Sequence, residues 1–283
     1  MLHHHSFLED ARDGGMSVFF PGIISWSGSP MKSPEVDTAT FLGKISDTPQ
    51  VLREDKPLTL PCLCHCGAIR FRLAPPPTNA TALPSTFRAG AYSDLLVPHV
   101  ASGSRKENLD NEHWFLRYTP RADGGITTKY LAGLCACCSC RKASGNIFQA
   151  WAFVPRHLIL TSSGDNVLDL DSLRARDKGG EGLKTYTSSP GVYRDFCSRC
   201  GATVFWRSDE RADVVDVSVG LMYAGEYVRH EEWLEWWMER VSFEEEAKSE
   251  PILRLLKEGM RVWKEKRSVA AELVDTADTQ RKG

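Results

Sequence analysis

The sequence predicts a mainly β domain, α+β in class, that binds zinc and closes with C-terminal helices. Three observations lead there. Short apolar or alternating runs of strand length, bounded by Pro, Gly and Asp, recur from residue 58 onward. All nine cysteines (Cys62, Cys64, Cys66, Cys135, Cys137, Cys138, Cys140, Cys197 and Cys200) fall into three tight clusters. Helical spacing enters only after residue 230. The 283 residues are 42% hydrophobic and 10% aromatic, enough apolar material for a core, which excludes a wholly disordered chain. A formal net charge of −2 argues against nucleic acid as a partner held by bulk electrostatics. No apolar run approaches the roughly 20 residues of a membrane-spanning helix, so no membrane partner is expected.

Residues 1–57 are rich in Ser, Gly, Pro and Asp and lack sustained periodicity, which predicts a poorly ordered N-terminal extension. The apolar stretch from Val18 to Ile24 is broken by Pro21-Gly22 and has no basic lead-in, so it does not read as a secretory signal. A cytoplasmic or nuclear address is expected, not a secreted one, with reduced thiols free to bind metal. The zinc-binding domain is placed over 58–247, with an insertion at about 74–130, and a helix and tail over 248–283.

Leu58-Thr59-Leu60 and Ala68 to Leu73 read as strands, the second alternating apolar and basic residues. Within the insertion, Trp114 to Tyr118 and Thr127 to Leu131 are strand candidates. Phe148 to Val154, His157 to Thr161, Leu183 to Tyr186, Ala202 to Trp206 and Val214 to Val219 follow. Trp233-Leu234-Glu235-Trp236-Trp237-Met238 opens a helical segment, and Pro251 suits the first residue of a second helix. There Leu253, Leu256, Met260 and Trp263 form one apolar stripe, expected to pack on the body of the domain.

The spacings within the clusters are those of metal ligands. Cysteines scattered to staple distant loops would suggest disulfides, whereas one- and two-residue spacings let thiolates share an ion. In Cys62-Leu63-Cys64-His65-Cys66-Gly67, one residue between cysteines puts their side chains on one face of an extended segment, with His65 on the other. Cys197-Ser198-Arg199-Cys200-Gly201 is a C-x-x-C turn relieved by glycine. A C-x-C pair and a C-x-x-C pair together make a closed four-thiolate structural zinc site. The first cluster offers a choice of pairs, and Cys64 with Cys66 is favoured because Cys66-Gly67 repeats the glycine placement of Cys200-Gly201.

The middle cluster, Cys135-Ala136-Cys137-Cys138-Ser139-Cys140-Arg141-Lys142, supplies three thiolates as C-x-C-x-x-C. Three ligands with a fourth position open is how a catalytic zinc is held. Zinc with three thiolates carries a formal −1 charge, which Arg141 and Lys142 could offset, or they could hold an anionic substrate. Cys138 is the spare and should point away from the ion.

Cys64-x-Cys66-Gly67-Ala68-Ile69-Arg70-Phe71, Cys135-x-Cys137-x-x-Cys140-Arg141-Lys142-Ala143-Ser144-Gly145 and Phe196-Cys197-x-x-Cys200-Gly201 occur in this order over roughly residues 60–225. Together they resemble the glutathione-dependent formaldehyde-activating enzyme family, also named for centromere protein V. Tyr92 to Leu95, Trp151 to Pro155, Ser188 to Val192, Asp216 to Leu221 and Trp233 to Trp237 are similar to its larger fungal branch. The resemblance implies a fold related to type B methionine sulfoxide reductases and two Zn²⁺ per chain. It places a structural zinc on Cys64, Cys66, Cys197 and Cys200 and a second, catalytic one on Cys135, Cys137 and Cys140. It implies carbon–sulfur lyase chemistry on a small thiol–aldehyde adduct such as S-hydroxymethylglutathione, with glutathione as the expected partner. The alternative reading is a non-catalytic, zinc-stabilised scaffold that recruits proteins. The long insertion, the additional Cys62 and Cys138 and the large C-terminal tail set this chain apart from the family pattern.

Overall fold

A computed structural model describes residues 4–6, 15–20, 24–26, 59–77, 114–120, 126–170, 182–223 and 228–265. Most of the expected N-terminal extension, Leu58 and Tyr92 to Leu95 lie outside the described residues. In chain order the strands are β1 (His4–Ser6), β2 (Ile24–Trp26), β3 (Leu60–Leu63), β4 (Arg70–Leu73), β5 (Leu116–Pro120), β6 (Ile126–Cys135), β7 (Gln149–Pro155), β8 (Ile159–Leu160), β9 (Leu183–Ser189), β10 (Val192–Cys197), β11 (Thr203–Ser208), β12 (Val214–Ser218) and β13 (Leu234–Trp236). Helix α1 is Cys138–Ser144 and α2 runs over 250–265.

The core is a sheet in the order β13-β6-β7-β12-β11-β10-β9, with β5 paired to β6. Its neighbours are antiparallel except β13, which runs parallel to β6. A second, antiparallel sheet of β3, β4 and β8 packs against it, and β1 and β2 form a separate parallel pair. Alternation directs the packing. In β4, Phe71 and Leu73 are buried while Arg70 and Arg72 remain half-buried. Phe71 meets Phe205 of β11 with ring centroids 5.1 Å apart. Phe205 stands in a cross-strand row with Val217, Ala152 and Ala132, and that row defines the face that receives the small sheet.

The opposite face is unusual for its buried polar groups. Arg194, Trp206, Asp216 and Phe153 stand in register across β10, β11, β12 and β7. Cys135 and Gln149 are paired on this same face at the end of β6 and β7. Strand β10 was not expected, because Arg194-Asp195 interrupts its apolar pattern. Both residues are buried, and Asp195 is bonded across strands: it accepts from Arg207 Nε at 2.6 Å and from Thr185 at 2.6 Å.

The C-terminal helix carries its stripe as expected, with Leu256 and Met260 fully buried and Leu253 and Trp263 half-buried against the core. Trp263 and Trp236 both meet Phe19, with centroids at 5.5 and 6.2 Å. The segment Trp233 to Met238 corrects the sequence reading. Leu234 to Trp236 is strand, not helix. Leu234 and Trp236 alternate with the half-buried Glu235, and β6 supplies a parallel partner at Tyr130, Leu131 and Ala132. A pairing edge about a hundred residues upstream decides the local conformation, and it leaves α2 as the C-terminal helix among the described residues.

Candidate metal centres and the adjoining cavity

Two short loops of the same construction bring the first and third cysteine clusters together. After β3, the Gly67 N–H returns to the Cys64 carbonyl at 2.9 Å and the Cys64 N–H to the Ile69 carbonyl at 3.0 Å. After β10, the Gly201 N–H returns to the Cys197 carbonyl at 2.9 Å and the Cys197 N–H to the Ala202 carbonyl at 2.9 Å. Gly67 and Gly201 take φ of 70° and 74°, where a side chain is strained. A Cβ at Gly201 would meet nothing within 4 Å, so the backbone conformation and not space demands glycine there.

The pair in the first cluster is thus Cys64 and Cys66, and a turn rather than an extended segment makes them neighbours. Cys64 Sγ lies 3.6 Å from Cys66 Sγ and 3.7 Å from Cys197 Sγ, and Cys66 and Cys197 are 3.7 Å apart. Sulfurs about 2.3 Å from a tetrahedral zinc stand about 3.8 Å from one another. Cys200 completes the group, and the four could hold a metal ion. The loop amides favour bound thiolates: Ile69 N–H points at Cys64 Sγ at 3.3 Å. At Cys200, burial pushes the thiol up, but the N–H groups of Ala202 and Cys66 outweigh it and hold it down at about 7. Cys62 is fully buried, and its thiol faces the Leu60 carbonyl at 3.8 Å, apart from the group. His65 is exposed, as expected.

Cys135, Cys137 and Cys140 form the second group, their sulfurs within 4.8 Å of one another. Cys135 ends β6, Cys137 is the N-cap of α1, and Cys140 lies in the first turn of that helix. The Cys137 sulfur replaces the usual cap oxygen and accepts the Cys140 N–H at 3.2 Å. Gly145, at φ 69°, ends the helix by returning its N–H to the Arg141 carbonyl at 2.9 Å. The thiol hydrogen bonds from Cys135 and Cys140, then the Cys140 N–H and the Arg194 charge, pull the Cys137 thiol down against its burial. Its partner Cys135 is pushed up, because it donates to Cys137 and is buried. Against its hydrogen bond with Cys135, Cys140 is also pushed up by Cys137 and by burial, while the Arg194 charge favours the thiolate form at both Cys137 and Cys140. The half-buried Cys138 stands outside the group.

The two cations that follow the cluster are placed differently. Arg141 binds backbone: its Nε donates to the Ala136 carbonyl at 2.8 Å and Nη2 to the Glu246 carbonyl at 2.9 Å. Lys142 is exposed on α1. Residues beyond β13 fasten the same loop. Ser242 pairs with it through Ala136 N–H to Ser242 carbonyl and Ser242 N–H to Leu134 carbonyl, both at 2.8 Å.

The cation that approaches the sulfurs was missed from sequence. Arg194 of β10 is 7% exposed; its Nη1 donates to Cys140 Sγ at 3.2 Å, and Nη2 lies 4.0 Å from Cys137 Sγ. These partners are 54 and 57 residues away in sequence, so no local pattern reveals them.

A cavity of about 740 Å³ reaches Cys200 of the first group and residues next to the second, but none of Cys135, Cys137 and Cys140 lines it. Leu134, Ser144 and Gln149, neighbours of the second group, line it, as does Cys200 of the first; Trp236 and Leu256 close another side. Gln149 is fixed by donating to Ser218 Oγ at 3.0 Å. The volume lies within the roughly 300–1,000 Å³ of small-molecule sites.

No helix of the described residues is long and apolar enough to cross a membrane. No curated protein matches the chain. Residues 124–240 match the family described as glutathione-dependent formaldehyde-activating enzyme. The matched segment contains the whole second group together with Cys197 and Cys200, while Cys64, Cys66, Phe19 and α2 lie outside it. The likeness to the glutathione-dependent formaldehyde-activating enzyme family thus rests on residues 124–240 and the two cysteine motifs they contain.

Proposed function

We propose that the protein is a two-zinc carbon–sulfur lyase that forms or cleaves a thiol–aldehyde adduct, with glutathione as the thiol. The observation that carries this reading is the unequal size of the two cysteine groups. Four sulfurs in the first suit a closed structural site; three in the second suit a site with a place for substrate. A zinc ion held by Cys135, Cys137 and Cys140 would supply a Lewis-acidic position that favours the thiolate form of an incoming thiol. In the forward direction the thiolate electron pair forms the C–S bond to the aldehyde carbon. The carbonyl π pair moves to oxygen, and the proton lost from sulfur ends there. The reverse step breaks the same bond. The cavity lined by Leu134, Ser144 and Gln149, residues next to the group in sequence or strand pairing, has room for a tripeptide-sized substrate. In this reading the exposed ammonium of Lys142 meets a substrate carboxylate, and Arg141 contributes its charge while it holds the loop.

The test is the rate of S-hydroxymethylglutathione formation from glutathione and formaldehyde, followed by exchange NMR with zinc-loaded protein. Acceleration over the uncatalysed reaction by the native chain, abolished in Cys137→Ser, is the expected result. A native rate equal to the uncatalysed one would leave the non-catalytic scaffold as the better reading.

A further inference from the structure

Arg194 poses a charge problem that its surroundings on the sheet do not solve. The side chain is 7% exposed, and a buried cation without a counter-anion is strongly unfavourable. The nearest carboxylate in its cross-strand row is Asp216, two strands away beyond Trp206. Asp216 is itself 6% exposed and matched by Arg211, whose Nη2 lies 2.6 Å from Asp216 Oδ1. Arg211 is as buried as Arg194, and its guanidinium sits over the Trp206 ring at 4.4 Å. One carboxylate thus faces two cations and is already paired with one of them. Nε of Arg194 is buried and has no acceptor among the described residues. What Arg194 does reach is sulfur, at Cys140 and Cys137.

We propose that Arg194 is a positioning residue of the second centre, the fixed counter-cation of a divalent metal–trithiolate unit. A divalent ion with three thiolates carries −1, and Arg194 brings the unit to zero. The match is specific to charge: a monovalent ion in the same thiolates would leave −1 in the interior. The guanidinium also orients the sulfurs, since its two Nη groups address two of the three ligands from a rigid strand. This inference concerns the ligand set alone and holds whether the centre is catalytic or structural, so it does not stand or fall with the proposed lyase activity.

The experiment measures metal affinity in the full-length chain, with Co²⁺ as the probe and a chromophoric chelator as competitor. The sulfur-to-cobalt charge-transfer band reports thiolate ligation directly. Arg194→Met should weaken binding at the second centre by about 10- to 100-fold, the usual effect of losing an outer-shell partner, and leave the four-sulfur centre unchanged. Arg194→Lys, which restores the charge without the fork, should recover most of the loss. A second measurement separates this role from packing. In a Cys135→Ser/Cys137→Ser/Cys140→Ser background, Arg194 is a buried cation without its anion, so Arg194→Met should raise Tm there while it lowers Tm in the metal-loaded native background. Unchanged cobalt affinity in Arg194→Met, or a Tm change of the same sign in both backgrounds, overturns the proposal. If Arg194→Met fails to fold, Arg194→Lys decides: affinity near native supports the role, and a loss of 100-fold or more refutes it.

Discussion

The Glu246 carboxylate accepts the backbone N–H of Cys138 at 2.6 Å, joining residues 108 apart in sequence. Cys138 is the first helical residue of α1, and its N–H has no partner within that helix. Glu246 therefore holds the start of the helix that carries Cys140. Glu246→Ala should cost about 1 kcal/mol, as the loss of a capping group does. The cost should be local. Zinc should leave the second centre faster under chelator challenge, with the first centre unaffected and Glu246→Gln intermediate. Equal release rates in the native protein and Glu246→Ala would show that Glu246 does not hold the loop.

The two cysteine groups should differ in what their loss does. Cys64 and Cys197, separated by 133 residues, are in contact in the first group, which ties the small sheet to the end of β10. An ion held there would contribute to the folding free energy. Cys200→Ser should abolish the cooperative thermal transition, and strong chelation should do the same to the native chain. Cys137→Ser should lose one zinc per chain and keep a cooperative melt, because the second group's ligands lie within six residues of one another. Global unfolding of Cys137→Ser, followed by near-UV circular dichroism, would make both centres structural.

Asp216 gives the protein a pH signature. Burial pushes its carboxyl up to about 6, against the opposing effects of Arg211 and Arg194. An unfolded Asp titrates near 3.9. The folded state thus holds this proton more tightly, and the stability it contributes is full below about 4 and lost as pH rises through about 6. Asp216→Asn keeps the neutral shape at every pH. The stability difference between the two proteins should therefore move in favour of Asn as pH rises from 4 to 7, by about 1.4 kcal/mol for each unit of pKa shift. A difference that stays constant across that range in parallel thermal melts would refute the assignment.

Leu256 tests the tail. It is fully buried, lines the cavity and belongs to α2, outside the matched segment. Leu256→Ala should destabilise the chain by 2–5 kcal/mol if α2 is part of the same cooperative unit. An unchanged denaturation midpoint would mean that α2 unfolds independently of the sheet.

Local chemistry made much of this structure legible from sequence. The Phe71/Leu73 alternation, the 253–263 stripe and the cysteine spacings each depend on residues a few positions apart. What escaped depends on distant partners. Val192-Tyr193-Arg194-Asp195-Phe196-Cys197 looks interrupted until Arg207, Thr185 and Cys140 are brought beside its charges. Trp233 to Met238 has three tryptophans and good helical composition, and only the free edge of β6 makes Leu234 to Trp236 a strand. Gly67 marked Cys64 and Cys66 as the pair, but the spacing suggested an extended segment where the Gly67 N–H and the Cys64 carbonyl close a turn.

The parallel pairing of β13 with β6 has a consequence for how the protein is made. Cys135, Cys137 and Cys140 emerge from the ribosome long before Ser242 and Glu246, which secure their loop. During synthesis the three thiols are already present as ligands, yet their loop lacks its final fastening. The loop that carries these thiols therefore takes its last hydrogen bonds only once residues 242–246 have been made.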